Sequence, residues 1–382
     1  MELYLHIPFC ARKCRYCDFA SYAGRGEDMS AYVDALLAEA DTYASFADES
    51  VDTVFIGGGT PSLLPPPLFD RLLTGIHDRF SIHPGCEFTT EANPGTLTAE
   101  WLNIAVHHGV NRLSLGMQAY QPHLLSMLGR IHDFDQVAHS VRLAREAGIS
   151  NVSLDLMFGL PGQTRDDWRE TLSAALSLSP QHLSCYGLIP EDGTPIKAQL
   201  DSGELFLPDE ETERAMYDDT LSILASHGFH QYEISNFAQP SYECRHNIGY
   251  WTQVPYLGLG CAASSMQPST AHDAKYIRIS NPPQLDDYLS MIAACDFTLR
   301  ETESITPADA QFETLMLGLR MTHGVSESAY TALHGDSLDH RYGPALRKLA
   351  ADGLLEHENG CWRLTRRGMD GQNAVLVDLM DE

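Results

Sequence analysis

Three cysteines near the start of the chain are spaced closely enough to bind metal. Cys10, Cys14 and Cys17 form the pattern C-x3-C-x2-C within the stretch HIPFCARKCRYCDF. Zinc sites and ordinary iron–sulfur sites in proteins usually take four ligands. The next cysteine is Cys86, far along the chain, and Phe19 occupies the position two residues after Cys17. The spacing therefore predicts a metal or iron–sulfur centre with only three thiolate ligands from this stretch.

The same three thiolates suit two kinds of centre. With a [4Fe–4S] cluster, they leave one iron open to a small molecule. With zinc, His6 or a remote residue would have to supply the fourth ligand. Pro8, Phe9, Tyr16 and Phe19 would surround the centre with partly apolar groups, which tune the reduction potential of a cluster and limit solvent access. We therefore favour the iron–sulfur cluster and keep zinc as the alternative.

Chemically notable residues also stand where later apolar runs end. The glycine run at 57–59 has no Cβ atoms, so a ligand can approach its backbone, with a tight strand-to-helix turn as the alternative. Glu91 ends an uncharged stretch and is either a ligand contact, a helix cap or a surface carboxylate. Asp155 interrupts the apolar run VSLDLMF, where a carboxylate is costly without partners. Either ligand binding or a structural hydrogen bond would account for it.

The composition narrows the class of protein. The chain has 382 residues and a formal net charge of −27, which argues against nucleic acid as a partner. No apolar run approaches the length of a transmembrane helix, and the acidic start MELYLHIPFC is unlike a signal peptide. Nine cysteines without an export signal indicate a reducing cytoplasm, where close cysteines serve metal or redox chemistry.

Six short apolar runs, each followed by a stretch with helical periodicity, fill the first two thirds of the chain. The runs lie at 3–7, 51–59, 86–94, 112–118, 152–162 and 182–190, and the helical stretches at 29–43, 65–79, 98–108, 134–147, 165–178 and 209–227. This alternation predicts a parallel sheet covered by helices, either doubly wound or a barrel. Because notable residues end the first five runs, and strand ends converge at the mouth of a barrel, we predict an α/β fold with a partial (β/α)6 barrel.

Two further segments follow the barrel, which we place at residues 1–230. Residues 231–304 are rich in glycine, proline and aromatic residues, and we expect mixed strands and loops that extend the barrel. Residues 305–382 are expected to form a small C-terminal α+β domain that resembles a winged helix.

The pattern within this C-terminal segment predicts three helices and a hairpin. Helical patterns lie near 308–321 and 326–334, and a third helix is expected to begin at Pro344, which suits a first helical turn. Asn359 and Gly360 are typical of a two-residue hairpin turn. Winged helices often bind DNA and this segment is locally basic, but the acidity of the whole chain disfavours that alternative.

The cysteine pattern after the first strand resembles that of the radical S-adenosylmethionine (SAM) superfamily. The phrases YLHIPFC, FIGGGTPS, EANP, LSLGMQ and DLMFGLPGQT are similar to those of the oxygen-independent coproporphyrinogen III oxidase family, over nearly the whole chain. The resemblance implies a [4Fe–4S] cluster on Cys10, Cys14 and Cys17. It also implies that the amino and carboxylate groups of SAM bind the open iron, and that an electron from the cluster splits SAM.

The resemblance also assigns residues to SAM. The positions that match SAM contacts of the family are Tyr4, Gly58, Gly59, Thr60, Glu91, Gln118, Arg130, Asp155 and Ile189. The glycine run with Thr60 would hold the methionine end of SAM, and Glu91 its amino group. Arg130 would clamp the carboxylate. Asp155 would accept from the ribose hydroxyls, and Ile189 would contact adenine.

Two features place the chain in one branch of this family. The oxidase branch carries a fourth cysteine where this chain has Phe19, and an N-terminal extension that is not seen here. CRHNIGYW instead contains the H-N-x-x-Y-W signature of HemW-type heme chaperones. His246 is a sound axial ligand for heme iron, and Tyr250 and Trp251 offer flat apolar area to a porphyrin. Cys244 is a second candidate ligand or a site of covalent attachment. The resemblance thus implies a heme-binding loop within residues 231–304.

These observations lead to one hypothesis and one rival. We expect a cytoplasmic heme chaperone that binds a [4Fe–4S] cluster, SAM and heme, and passes heme to acceptor hemoproteins such as respiratory ones. A reductant protein such as a flavodoxin would supply electrons, and the hypothesis allows a homodimer and peripheral contact with a membrane. Whether the protein is an enzyme is left open. The rival is an oxygen-independent coproporphyrinogen III oxidase that makes protoporphyrinogen IX by radical decarboxylation.

Overall fold

The computed structural model describes residues 1–43 and 49–380. Its strands are β1 (Glu2–Ile7), β2 (Phe9–Cys10), β3 (Tyr22–Ala23), β4 (Ser50–Gly58), β5 (Ser81–Ala92), β6 (Arg112–Gln118), β7 (Asn151–Phe158), β8 (His182–Gly187), β9 (His230–Gln231), β10 (Asn236–Ala238), β11 (Tyr256–Leu259), β12 (Ser264–Pro268), β13 (Tyr276–Ser280), β14 (Glu301–Ile305), β15 (Val325–Ser326), β16 (Leu355–Glu358) and β17 (Cys361–Leu364). Its α-helices are α1 (Met29–Asp41), α2 (Pro66–Arg79), α3 (Ala99–His107), α4 (Pro122–Leu128), α5 (Phe134–Glu146), α6 (Arg165–Ser177), α7 (Pro195–Asp201), α8 (Glu210–Ser226), α9 (Arg245–Trp251), α10 (Leu285–Ala294), α11 (Pro307–Gly318), α12 (Glu327–His334), α13 (Leu338–Ala351), α14 (Arg366–Asp370) and α15 (Gln372–Met380).

The main sheet has the connectivity of a barrel. Its strand order is β14-β13-β12-β11-β1-β4-β5-β6-β7-β8-β10-β9. Six of these strands pair in parallel, each with the next: β1, β4, β5, β6, β7 and β8. A doubly wound sheet reverses its strand order at a switch point, whereas these six strands follow one another in chain order, as in a barrel. The predicted fold is therefore confirmed. In the described part of the chain, the edge strands β9 and β14 do not pair with each other.

Local sequence explains why the barrel helices begin and end where they do. Asp133 and Gln136 form a reciprocal capping box at the start of α5, which satisfies two backbone N–H groups that have no partner within the helix. Gly129 ends α4 in the left-handed conformation, which glycine adopts without strain. The apolar faces of the helices pack on the strands; Phe69 of α2 and Trp101 of α3 stack at a ring distance of 4.1 Å. The helices thereby hold the strand ends that form the site.

Helix α9 connects the side of the sheet next to β8 with the side next to β1. The chain leaves β10 beside β8, forms α9, and returns as β11 beside β1. Glu87 of β5 accepts hydrogen bonds from the backbone N–H groups of Arg245 (3.0 Å) and His246 (3.1 Å). This carboxylate anchors the first turn of α9 beneath the amino ends of the barrel strands.

Two helices lie in a segment where we expected strands and loops. The expectation for residues 231–304 is wrong for α9 and α10, while β10 to β14 of that segment are strands as expected. Helix α9 has seven residues, including Gly249, and a helix this short shows no clear periodicity. The predicted heme-binding loop around His246 is therefore a helix.

The C-terminal segment has its own apolar core, built from α11, α12, α13, α15 and the sheet β15-β17-β16. Asn359 (φ 53°) and Gly360 (φ 74°) make the expected hairpin turn. Helix α13 does not begin at Pro344: Ser337 caps it and Pro344 lies inside the helix. The sequence also gave no sign of α14 and α15. The domain boundaries at 230 and 304 stay a prediction, and the last two residues of 305–382 lie outside the described residues.

None of the described helices combines the length and the apolar character needed to cross a membrane.

Candidate cofactor site

The three cysteines of the N-terminal motif open into one cavity. Cys10 ends β2, and Cys14 and Cys17 lie in the loop between β2 and β3. All three are partly exposed, carry free thiols and line a cavity of about 350 Å³, here called the cysteine cavity. Burial raises the pKa of Cys17, and the positive charge of Lys13 partly opposes this shift. The cavity thus brings three accessible sulfur ligands to the carboxyl ends of the barrel strands.

Two polar side chains approach the sulfur atoms. Thr60 Oγ1 lies 3.6 Å from Cys10 Sγ and itself accepts a hydrogen bond from Asn93 (2.7 Å). Arg130 Nη1 lies 3.6 Å from Cys14 Sγ. Donors of this kind stabilise thiolate and tune the potential of a bound cluster. Thr60 therefore reaches the site through a sulfur atom, although it is not itself in the lining of the cysteine cavity.

The environment of His6 bears on the zinc alternative. Its Nδ1 is 2.9 Å from the hydroxyl of Tyr4, and its Nε2 is 2.8 Å from the carbonyl oxygen of Ala20. Both ring nitrogens are therefore in use, and neither is free for zinc. Within residues 1–43 and 49–380, no group of His, Cys, Asp and Glu side chains is placed to hold a single metal ion. A four-iron cluster suits the cysteines better, because each thiolate binds a different iron.

The glycine run lies against the carboxylate of Glu91. The N–H of Gly58 donates to Glu91 Oε2 (3.0 Å). A Cβ at Gly57 would lie 2.9 Å from that oxygen, and one at Gly58 would lie 2.4 Å from the His6 ring. Burial, together with the nearby charge of Asp155, raises the pKa of Glu91 to about 7. Close contact with surrounding side chains therefore accounts for these glycines.

Asp155 and Gln118 face the cysteine cavity from β7 and β6. Ser114 Oγ donates to both carboxylate oxygens of Asp155 (3.0 and 3.2 Å). Asp155 therefore makes a structural hydrogen bond, which was the alternative to ligand binding for this residue. Burial raises the pKa of Asp155. Gln118 has a φ of 62° at an irregularity between β6 and β7. Such backbone conformations are uncommon outside glycine, and this one directs the side chain of Gln118 into the cavity lining.

Arg130 is held by three contacts, and its Nε has no partner. Nη2 donates to Asn93 Oδ1 (2.5 Å) and to the carbonyl oxygen of Gly116 (2.6 Å), while Nη1 faces Cys14. The buried Nε has no partner, and an unsatisfied buried donor is costly unless a ligand completes it. A carboxylate in the cysteine cavity would supply that partner, which fits the methionine end of SAM.

Several predicted residues meet in the cysteine cavity and others do not. Its lining includes Cys10, Cys14, Cys17, Gly58, Gly59, Glu91, Gln118, Arg130 and Asp155. Tyr4 instead lines a second cavity of about 420 Å³, with Tyr256 and Met266, here called the Tyr256 cavity. Ile189 is 71% exposed and lines a third cavity of about 690 Å³, here called the Arg320 cavity. The SAM contacts predicted for Tyr4 and Ile189 stay predictions.

The sequence missed polar residues that complete the cysteine cavity. Ser114, Ser184 and Asn93 line it, as does the buried Arg112. Serine and asparagine are common in turns and loops, so their types gave no signal. Arg112 opens an apolar strand much as Asp155 interrupts one, and the same argument from a costly buried charge could have found it.

His246 is enclosed rather than open. It is 1% exposed, and its ring stacks on Phe55 at a centroid distance of 5.3 Å. Its Nδ1 lies 2.7 Å from Thr53 Oγ1, and its Nε2 lies 2.9 Å from the hydroxyl of Tyr250. Burial and the charge of Arg112 lower its pKa to about 3. Iron can reach His246 in this arrangement only if the hydrogen bond to Tyr250 breaks.

The other motif residues of α9 face cavities. Asn247 lines both the cysteine cavity and the Arg320 cavity. Tyr250 and Trp251 line both the Arg320 cavity and the Tyr256 cavity. The H-N-x-x-Y-W helix is therefore a wall shared by three cavities, while its histidine points into the barrel floor.

The strand order and the cysteine cavity define a radical SAM protein, and residues 4–175 match the Radical SAM superfamily. Residues 305–370 match the HemN C-terminal domain. The solved structure of coproporphyrinogen III oxidase (HemN) from Escherichia coli has a TM-score of 0.84 and 23% identity, with 99% of this chain and 89% of that chain covered, which confirms the fold.

Full-length relatives place the chain more closely. Proteins named heme chaperone HemW are 39% identical in Bacillus subtilis (99% of each chain covered), 36% in Lactococcus lactis (99% of this chain, 97% of that one) and 34% in Escherichia coli (98% and 97%). The chain therefore belongs to the HemW family within the radical SAM superfamily. Members of this superfamily use a [4Fe–4S] cluster and SAM, and the thiols, carboxylates and unpaired Arg130 donor of the cysteine cavity fit that pair.

Proposed function

We propose that this protein is a heme chaperone: it binds heme, holds a [4Fe–4S] cluster with SAM, and hands heme to acceptor hemoproteins. The similarity to curated heme chaperones over 98–99% of the chain carries this proposal. The Phe19 position and the H-N-x-x-Y-W motif agree with it.

The cluster and SAM would occupy the cysteine cavity. Cys10, Cys14 and Cys17 would bind three irons and leave the fourth for the amino and carboxylate groups of SAM. Glu91 would pair with the SAM ammonium, and Arg130 with the carboxylate through its free Nε donor. When bound, the cluster supplies one electron at a time, and the protein's own residues orient SAM and exclude water.

Heme would bind beside the motif helix. Tyr250 and Trp251 present aromatic surface to cavities of about 420 and 690 Å³, a size range typical of cofactor sites. His246 lies immediately behind Tyr250, so the predicted heme residue borders the site even though its ring is enclosed.

Anaerobic reconstitution followed by heme titration tests the function. We expect one heme per chain, weaker binding in His246→Ala, and transfer of heme to an apo-hemoprotein. Protein that retains no heme, or that converts coproporphyrinogen III steadily in the presence of SAM and a reductant, would contradict the proposal and favour the oxidase alternative.

The reductant would dock beside the cysteines. Arg12 and Lys13 are exposed, Arg15 is half-buried, and none of the three forms an ion pair with the described residues. Phe19 (62% exposed) and Ile131 (63% exposed) flank them. Against a net charge of −27, such a patch favours an acidic electron donor such as a flavodoxin.

Charge reversal tests this docking surface. R12E/R15E should slow reduction of the cluster by reduced flavodoxin and weaken its dependence on ionic strength. R142E, an exposed change on α5, is the control. Reduction by dithionite should be unchanged, and a defect with dithionite as well would indicate damage to the cluster instead.

The acceptors and the assembly state stay predictions. Respiratory hemoproteins are the acceptors we would examine first. A homodimer, a peripheral contact with a membrane and a cytoplasmic location remain expectations from the sequence.

A further inference from the structure

Tyr250 lies between His246 and the space where heme would bind. Its hydroxyl is 2.9 Å from His246 Nε2, and its ring packs edge-on against Tyr256 at 4.7 Å. Tyr250 lines both the Tyr256 cavity and the Arg320 cavity, whereas His246 lines none of the three cavities described above. Of these two residues, the tyrosine therefore meets a ligand in either cavity first.

A chain of hydrogen bonds runs from Tyr250 into the barrel floor. His246 Nδ1 contacts Thr53 Oγ1 at 2.7 Å, and Thr53 contacts the carboxylate of Glu2. Oxygen Oε2 of Glu2 is buried without a partner. A Cβ at Gly249 would lie 1.7 Å from the other oxygen, so the carboxylate lies against the backbone of α9. Burial raises the pKa of Glu2 to about 8, so the chain of hydrogen bonds ends on a buried carboxyl group that is largely protonated at pH 7.

We propose that the phenol oxygen of Tyr250 is the direct ligand of ferric heme iron, and that His246 is a positioning residue that holds this oxygen and accepts its proton. The proposal rests on the proposed heme-chaperone function. The iron–oxygen bond forms as the Tyr250 O–H bond breaks, and the proton moves to His246 Nε2. The Nδ1–H of the resulting imidazolium donates to Thr53, and the iron-bound phenolate balances its charge. No electron is transferred.

Without heme, the pair is neutral. Burial raises the pKa of Tyr250 well above its usual value and lowers that of His246 to about 3. A ferric ion beside the oxygen favours the phenolate, and tyrosinate is an established axial ligand of heme. The phenolate in turn favours the imidazolium.

The Arg320 cavity is suited to the rest of the macrocycle. The guanidinium of Arg320 stacks 4.5 Å from the Trp251 ring. Arg320 Nε, Trp251 Nε1 and Asn236 Oδ1 are buried without hydrogen-bond partners. Glu233 is fully buried; its Oε2 is 3.5 Å from Arg320 and likewise makes no hydrogen bond. Of these unpaired atoms, Arg320 Nε and Trp251 Nε1 are donors, and beside an aromatic face they match a flat apolar ring that carries carboxylates on its edge. Asn236 Oδ1 and Glu233 Oε2 are acceptors.

Ligand spectroscopy of ferric heme complexes tests the assignment. Wild-type protein, Tyr250→Phe, His246→Ala and the control Tyr120→Phe, which lies outside the three cavities, are titrated with hemin, and resonance Raman spectra are recorded for tyrosinate–iron vibrations. We expect these vibrations in wild type and in Tyr120→Phe and their loss in Tyr250→Phe. His246→Ala should keep them, shifted, with about tenfold weaker binding.

A milder variant covers the case in which His246→Ala fails to fold. Thr53→Val keeps the shape of the side chain but removes the partner of Nδ1, and it should shift the iron–oxygen vibration. A histidine-ligated spectrum that survives in Tyr250→Phe and disappears in His246→Ala would overturn the proposal while leaving heme binding intact. Failure of wild-type protein to bind hemin would instead overturn the proposed function.

Discussion

At the scale of single residues, the cysteine cavity was largely predictable and its supporting contacts were not. Cys10, Cys14 and Cys17 stand out because thiols at this spacing have few other uses. Asp155 stands out because a carboxylate in an apolar strand needs a reason. The partners of these residues come from other strands, as Asn93 does for Thr60 and Arg130. A local sequence pattern does not predict such long-range hydrogen bonds.

Gly58 provides a test of close packing at this scale. Gly58→Ala should destabilise the fold by about 2–4 kcal/mol, because its φ is 107° and the new Cβ would lie 2.4 Å from the His6 ring. Gly148→Ala is the matched control, with a φ of 105° and nothing within 4 Å of its Cβ; it should cost about 1 kcal/mol. Urea unfolding measures both. Equal losses would mean that backbone strain alone fixes glycine at 58.

Glu91 should make SAM binding depend on pH. Its pKa is about 7 in the free protein, raised by burial and by Asp155, and only the ionised carboxylate pairs with an ammonium. SAM affinity should therefore fall as pH decreases through 7. Glu91→Gln should bind SAM more weakly by about 1.5–3 kcal/mol at pH 8 and show a flatter pH profile. Calorimetric titration at several pH values decides this, and an unchanged profile in the variant would exclude Glu91 as the cause.

At the scale of elements, regular repetition decided what the sequence could predict. The barrel strands and helices recur in one pattern, so each unit supports the interpretation of the next. Helix α9 has no repeat and only seven residues. It forms because Glu87 reaches it from another strand and because His246 packs on Phe55. Tertiary contacts of this kind leave no local periodicity, which is why a loop was expected there.

Glu87 should be essential for the position of α9. Glu87→Ala leaves the buried N–H of His246 and the N–H of Arg245 without their acceptor, so a loss of about 2–3 kcal/mol is expected, with faster hydrogen exchange across α9. Asp133→Ala removes an exposed cap at α5 and should cost about 1 kcal/mol. If α9 amides exchange no faster in Glu87→Ala than in Asp133→Ala, the carboxylate does not anchor this helix.

At the scale of the whole molecule, the C-terminal segment borders the proposed heme site. Met369 and Asp370 of α14 and Gln372 of α15 line the Arg320 cavity together with α9. Ion pairs join this segment to α8: Arg366 contacts Asp218 (2.6 Å), and Arg214 contacts Asp370. These side chains are partly exposed, so each pair contributes little and is weakened by salt. Because this contact between the C-terminal segment and α8 is weak and ionic, we expect it to open when heme enters or leaves the Arg320 cavity.

Breaking this contact should therefore speed heme release. Arg214→Asp places a third carboxylate beside Asp218 and Asp370, and about 0.5–1 kcal/mol of lost contact corresponds to roughly two- to fivefold faster transfer of heme to apomyoglobin. Adding Asp370→Arg restores an ion pair with the charges exchanged and should return the rate to that of wild type. Higher ionic strength should raise the rate of heme transfer from the wild-type protein towards the rate of Arg214→Asp. Stopped-flow absorbance at the Soret band follows all of these rates. A rate that changes with neither the substitution nor the salt would show that heme leaves by another route, such as the Tyr256 cavity, which Trp251 also lines.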